Sequence, residues 1–253
     1  MTEGGTGAAG FLPLLIRRLL ERGLDLVQPF SVRQINRQLP PEQHLPVLGG
    51  DDALGLVIGN SRLLWEPFVS ALHADPVPQP DALDNYIERS VRAAIDSTAS
   101  DSPDEQGLVL ARCWVGFAHQ LEPRPLPIQK LADHSGLAAL GPAHLNVHPL
   151  YGPWIALRAV VVCAFEPPAP LANGSPPSAA PCDGCASPCR GALARALDPP
   201  PGPESDMGAM PAELNDTQRR FLMVREVCPV GRPHRYSDEQ IVYHYARGAP
   251  RPR

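Results

Sequence analysis

Leu12, Leu15, Ile16 and Leu19 recur at helical spacing, which predicts an amphipathic helix over residues 10–22. Leu83, Ile87, Val91, Ala94 and Ile95 mark another over 82–98. Between them "LGLVIGN" (54–60) is a short apolar run closed by Gly and Asn, the pattern of a buried strand. Asn60 or Ser61 then caps a helix to about Ala74, which Pro67 bends or delays. "LVLARCWVGF" (108–117) reads as a strand and "IQKLADH" (128–134) as a short helix ended by Ser135-Gly136. "HLNVH" (144–148) and "WIALRAVVVCAF" (154–165) read as strands, the second apolar enough for the centre of a sheet. Further on, "AELNDTQRRFLMVREV" (212–227) predicts a helix with Leu214, Phe221, Val224 and Val227 near one face. "SDEQIVYHYARG" (237–248) predicts a last helix, with Ser237 and Gln240 in a capping-box pattern and Gly248 as its C-cap. Strands alternating with helices point to an α/β or α+β fold.

Proline punctuates this pattern: 32 of 253 residues, in clusters at 76–80, 123–127, 167–181 and 199–211. These are connections rather than element interiors. The stretch 166–181 reads as a linker between a main domain, residues 1–165, and a cysteine-containing segment, 182–248. That segment is poor in apolar residues and is expected to pack on the main sheet or to be held by a metal. No apolar run approaches the roughly 20 residues of a membrane helix. The first residues lack a basic leader with a small-residue cleavage site, so a cytoplasmic protein is expected, where stable disulfides are rare. A net charge of −5 and a pI near 5.9 argue against nucleic acid as a general partner. Ser–His–Asp, Walker and dinucleotide-binding signatures are all missing from the sequence.

The richest stretch is "HSGLAALGPAHLNVHPLYGPWIALRAVVV" (134–162). Its residues alone read as a tight hairpin whose glycines satisfy turn geometry. Gly136, Gly141 and Gly152 would also let the backbone approach a flat ligand, on which Trp154 could stack. His134, His148 and His234 are in the first instance hydrogen-bonded structural side chains, although imidazole also suits metals.

"HPLYGPWIALRAVV", "QPFSVRQINRQLPPEQHLPVLGG" (28–50) with the following "LGLVIGNSRLLWEPFVSAL", and "HRYSDEQIVYHY" (234–245) resemble the cyanocobalamin reductase family of cobalamin-processing proteins. "LADHSGLAALGP" is also similar to the turn in epoxyqueuosine reductases and reductive dehalogenases, corrinoid-dependent iron–sulfur enzymes. The resemblance covers roughly residues 28–246 and implies an α+β fold, a nitroreductase-like mixed sheet flanked by helices. It further implies a corrinoid held by Gly136, Leu137, Gly141, His148, Tyr151, Gly152 and Trp154. Arg158 lies where that family has an arginine implicated in glutathione use; its structural alternative is pairing with a core carboxylate. Glu122 falls near the proton-donor position of epoxyqueuosine reductases, an acid role that burial would have to create. The fold family often binds FMN, a further cofactor to consider, though the chain offers no evident phosphate-cradling arginine pair.

Cys182, Cys185 and Cys189 follow a Cys-x2-Cys-x3-Cys pattern, and Cys228 comes later before Pro229. Zinc is usually held by two Cys-x2-Cys pairs. A close triplet with a distant Cys-Pro is similar to 4Fe–4S ligation, although Cys189 is followed by Arg190 rather than Pro. Cluster, zinc and free thiols all remain open, and the iron–sulfur resemblance favours the first. Cys113 and Cys163 fall inside predicted strands and are expected to be buried, inert thiols.

The resulting expectation is an oxidoreductase that processes corrinoids reductively, removing the upper axial ligand with electrons from the cluster. An electron-donor protein or glutathione would be its partner. The alternatives are a cobalamin-dependent reductase of another substrate, as in the epoxyqueuosine branch, and a non-catalytic cobalamin carrier with structural zinc.

Overall fold

The computed structural model describes residues 6–74, 81–100, 113–172, 181–199 and 210–246. The chain divides into two compact units: residues 1–137 with 156–178, and residues 138–155 with 179–253.

The first unit is built on a four-stranded sheet in the order β1-β2-β6-β3, from β1 (Leu26–Ser31), β2 (Leu54–Asn60), β3 (Cys113–Phe117) and β6 (Ala156–Cys163). Each pairing in it is antiparallel, so the sheet is not the mixed one expected. β6 lies inside the sheet, where Ala159 to Cys163 are fully buried, as its continuous apolar run predicts. Pro29 has no N–H to give, and β1 accommodates it as an edge strand. Gly55 of β2 leaves room for the Phe30 ring, which a Cβ would strike.

Around the sheet run α1 (Thr6–Leu20), α2 (Val32–Asn36), α3 (Trp65–Ala74), α4 (Ala82–Ser100), α5 (Ile128–His134) and α6 (Ala169–Ala172). Phe11, Leu15 and Leu19 form the buried face of α1, which packs on α4. The capping expected at Asn60 or Ser61 falls to Ser61, whose hydroxyl accepts the Leu63 N–H, and a 3-10 turn there delays α3 until Trp65. Asp25 holds Ser61 through both its N–H (2.7 Å) and its hydroxyl (2.6 Å). Residues 108–112 of the predicted strand lie outside the described residues, as does Gly248.

The second unit contains the hairpin of β4 (Ala139–Leu140) and β5 (Asn146–Val147), then α7 (Pro188–Leu197), α8 (Asp216–Glu226) and α9 (Asp238–Ala246). The strand expected over 144–148 is thus only two residues long. Asn215 and Gln218 form a reciprocal capping box at the start of α8. On α8 the core residues are Leu222 and Val224, whereas Phe221, expected on the buried face, is exposed. One core gathers Trp154, Leu214, Leu222, Tyr236 and Ile241; a second gathers Ala143, Ala192, Ala196 and Val224. No helix among the described residues is long and apolar enough to cross a membrane.

Candidate functional site

In the first unit, Gly136 follows α5 with φ +84°. Its N–H donates to the Asp133 carbonyl (3.1 Å) and the Leu137 N–H to the Ala132 carbonyl (2.9 Å). These two bonds are a Schellman motif, with the buried Leu137 as its apolar anchor. The glycine here is required by the helix stop.

Arg158 stands on β6 and donates through Nε to Asn60 Oδ1 at 2.7 Å. Asn60 is fully buried and donates in turn to the Ser61 carbonyl (2.7 Å). A neutral amide therefore orients the guanidinium through its Nε. Glu122 is exposed on the loop after β3, so the burial on which its acid role depended is missing. It borders a recess of about 390 Å³ that Trp114 and Arg124 also line.

In the second unit, Gly141 closes the β4–β5 hairpin, donating to the Leu145 carbonyl at 2.8 Å. A Cβ at Gly141 would come within 3.0 Å of that carbonyl and 3.6 Å of Cys182 Sγ. The hairpin glycine and the first cysteine are thus neighbours, and both line an open groove of about 860 Å³ with Leu140, His144 and Arg190.

His148 Nδ1 accepts the N–H groups of Leu150 (3.1 Å) and Tyr151 (3.2 Å), which folds the chain back to the His148–Gly152 bridge. An imidazole nitrogen that accepts carries no proton, so in the neutral ring the proton sits on Nε2. Nε2 can then donate but cannot ligate cobalt unless both bonds at Nδ1 are given up. This counts against the ligand role and leaves His148 as a turn-former. Tyr151 lies between His148, tilted to it at 4.9 Å, and His234, edge-on to it at 4.8 Å between ring centroids. Gly152, at φ +57°, lies against the Val230–Gly231 backbone, where a Cβ has no room. Trp154 is 1% exposed, edge-on to Tyr236, with the Arg235 guanidinium 5.9 Å from its ring centroid. In this structure its ring is packed against its own unit.

All four cysteines of the predicted metal set belong to this second unit. Burial pushes the Cys182 thiol up, and the Cys228, Cys189 and Cys185 thiols push it further. Cys228 is likewise raised by burial, with the Val230 N–H donated to its sulfur pulling the other way. Ser187 donates its N–H to Cys185 Sγ at 3.4 Å. Cys189 sits at the start of α7, against the alanine core. Among the described residues, however, no three His, Cys, Asp or Glu side chains are placed to hold one metal ion. The four thiols are electrostatic neighbours and not a preformed ligand set.

The antiparallel sheet and its flanking helices make an α+β fold. It is similar to the solved structure of a C. elegans B12-trafficking protein CblC, a human MMACHC homologue, with a TM-score of 0.65. The two are 14% identical, over 97% of this chain and 92% of that one. No family model matches the sequence, and no curated protein matches it. The fold likeness agrees with the cyanocobalamin reductase side of the resemblance and lends nothing to the epoxyqueuosine side.

Proposed function

We propose that this chain binds a corrinoid and processes it reductively, releasing the upper axial ligand. The observation that carries the reading is the fold likeness, over 97% of the chain, to a protein described as trafficking B12. The stretch "HPLYGPWIALRAVV" supports it, because it belongs to the part of the sequence that resembles cobalamin-processing proteins. For cyanocobalamin the reaction balances as one electron added to cobalt(III), giving cobalt(II) and free cyanide. The electron comes from a reduced electron-transfer protein, or from low-molecular-weight thiols, two of which become one disulfide as two cobalt(III) centres are reduced. Arg158 is the side chain proposed to receive such a thiol, its guanidinium suited to a carboxylate-bearing peptide and steadied by Asn60. The glycines reach the function indirectly: they shape the turns that present Leu140, Gly141 and Tyr151.

We further propose that Cys182, Cys185, Cys189 and Cys228 hold an iron–sulfur cluster, which would supply single electrons when bound. The support for this is the Cys-x2-Cys-x3-Cys spacing followed by a later Cys-Pro, a pattern similar to cluster ligation.

The test is protein purified without oxygen, analysed for iron, zinc and acid-labile sulfide, then titrated with cyano-, hydroxo- and methylcobalamin. Expected are iron with sulfide, a shift of the visible cobalamin spectrum on binding, and cyanide release under reduction. Zinc without sulfide would replace the cluster by a structural ion, leaving a carrier as the reading. Unchanged spectra with all three cobalamins would overturn the corrinoid reading itself.

A further inference from the structure

Of Cys113 and Cys163, expected to be buried thiols, Cys163 is buried and Cys113 half-exposed. They face each other directly across β3 and β6, with Sγ atoms 2.8 Å apart. Both are free thiols, with Cys113 Sγ directed at Cys163 Sγ. Their place in the ladder matters. Ala118 donates to the Arg158 carbonyl at 2.8 Å, which makes 118–158 a hydrogen-bonded pair. Counting along the strands, 116–160 and 114–162 are hydrogen-bonded as well, and Cys113–Cys163 falls on a non-hydrogen-bonded position. There opposing Cα atoms stand about 4.5 Å apart and the side chains are closest. Disulfides span Cα separations of roughly 4.4–6.8 Å, so the bond can close without moving either strand far.

We propose that Cys113 and Cys163 are a redox site that exchanges with low-molecular-weight disulfides and closes into a reversible cross-strand disulfide. The two sulfurs are unequal. Cys163 is fully buried, while Cys113, on the edge strand β3, is half-exposed. Contact with Cys113 and then burial hold the Cys163 thiol protonated. Cys113 is therefore the entry point. Its thiolate attacks one sulfur of the small disulfide, breaking that S–S bond and releasing one thiolate. The Cys163 thiol gives up its proton to the released thiolate and attacks Cys113 Sγ, expelling the second small thiol. Overall the protein dithiol loses two electrons and two protons, and one disulfide becomes two thiols. The product ties the edge strand to β6, the strand that carries Arg158.

Full-length protein is reduced, desalted and equilibrated with glutathione and glutathione disulfide at graded ratios, then acid-quenched and alkylated. Chymotryptic digestion, which cuts after Trp114 and Phe165, with tandem mass spectrometry places Cys113 and Cys163 on separate peptides, apart from the second-unit thiols. Expected is a Cys113–Cys163 cross-link that grows with the disulfide fraction, reverses on adding glutathione, and removes two alkylatable thiols. In Cys163→Ala, Cys113 is expected to stop at the mixed glutathione disulfide. Accumulation of that mixed disulfide in the unaltered protein, or alkylation of both cysteines at every ratio, overturns the proposal. The readout requires neither corrinoid nor metal, so its outcome is independent of the function proposed above.

Discussion

Gly152 and Gly231 meet backbone to backbone: a Cβ on Gly152 would lie 3.2 Å from the Gly231 nitrogen, and one on Gly231 would lie 2.5 Å from the Gly152 nitrogen. Both have positive φ, +57° and +75°. The contact joins the loop before Trp154 to the loop after Cys228, and only residues without side chains allow it. Gly152→Ala and Gly231→Ala are each expected to cost about 2 kcal/mol or more, from backbone strain plus steric displacement. Urea denaturation checks this. A neutral result at either position would mean that the loops separate freely.

Trp154 is predicted to matter for stability rather than for ligand contact. Truncation to Ala removes the largest side chain of its core and is expected to cost about 3–5 kcal/mol. Trp154→Phe keeps most of the apolar volume and an aromatic partner for Tyr236 and Arg235. That variant should bind cobalamin with affinity within a few-fold of the parent. A large affinity loss in a Trp154→Phe protein that remains folded would return the indole to the binding surface.

What could be read from the sequence was local. The strand at 54–60 and the helix at 128–134 match their observed bounds, because an apolar run and a Ser-Gly stop are short-range signals. α7 went unread because its buried face is only Ala192 and Ala196, whose methyl groups leave no apolar rhythm. β1 was hidden by Gln28 and Pro29, residues tolerated at a sheet edge. Among the candidate site residues, the stretch was legible but the roles were not. Gly136 proves to be a helix stop, and His148 a turn acceptor. Trp154 joins a core whose other members come from residues 214–241, a distance no periodicity reports. The facing of Cys113 and Cys163 is likewise a matter of register between distant strands.

Asp52 is 2% exposed and accepts from the Ser31 hydroxyl (2.6 Å), the Arg33 N–H (2.8 Å) and its own neighbour's Ala53 N–H (2.8 Å). Ser31 in turn caps α2 by accepting from Gln34. Asp52→Ala would strand several buried donors and is expected to cost about 2–4 kcal/mol. Asp52→Asn retains one acceptor oxygen and should cost less. Equal loss in the two variants, measured by chemical denaturation, would show that packing rather than hydrogen bonding sets the penalty.

Tyr245 gives the second unit an alkaline limit. Burial raises its phenol above the ordinary value of 10.0, and the charge and hydrogen bond of Arg225 pull only partly back. The fold thus favours the neutral phenol. Since the folded form holds this proton more tightly than the unfolded chain, the stabilisation is complete below pH 10 and declines as the pH rises above it. Arg225 also donates to the Pro153 carbonyl at 2.6 Å, so loosening around Tyr245 would reach the loop that leads to Trp154. Denaturation measured from pH 8 to pH 11 should show a steeper alkaline decline for the parent protein than for Tyr245→Phe, which has no proton to lose. Parallel pH profiles for the two would mean that Tyr245 ionises as freely in the folded protein as in the unfolded chain.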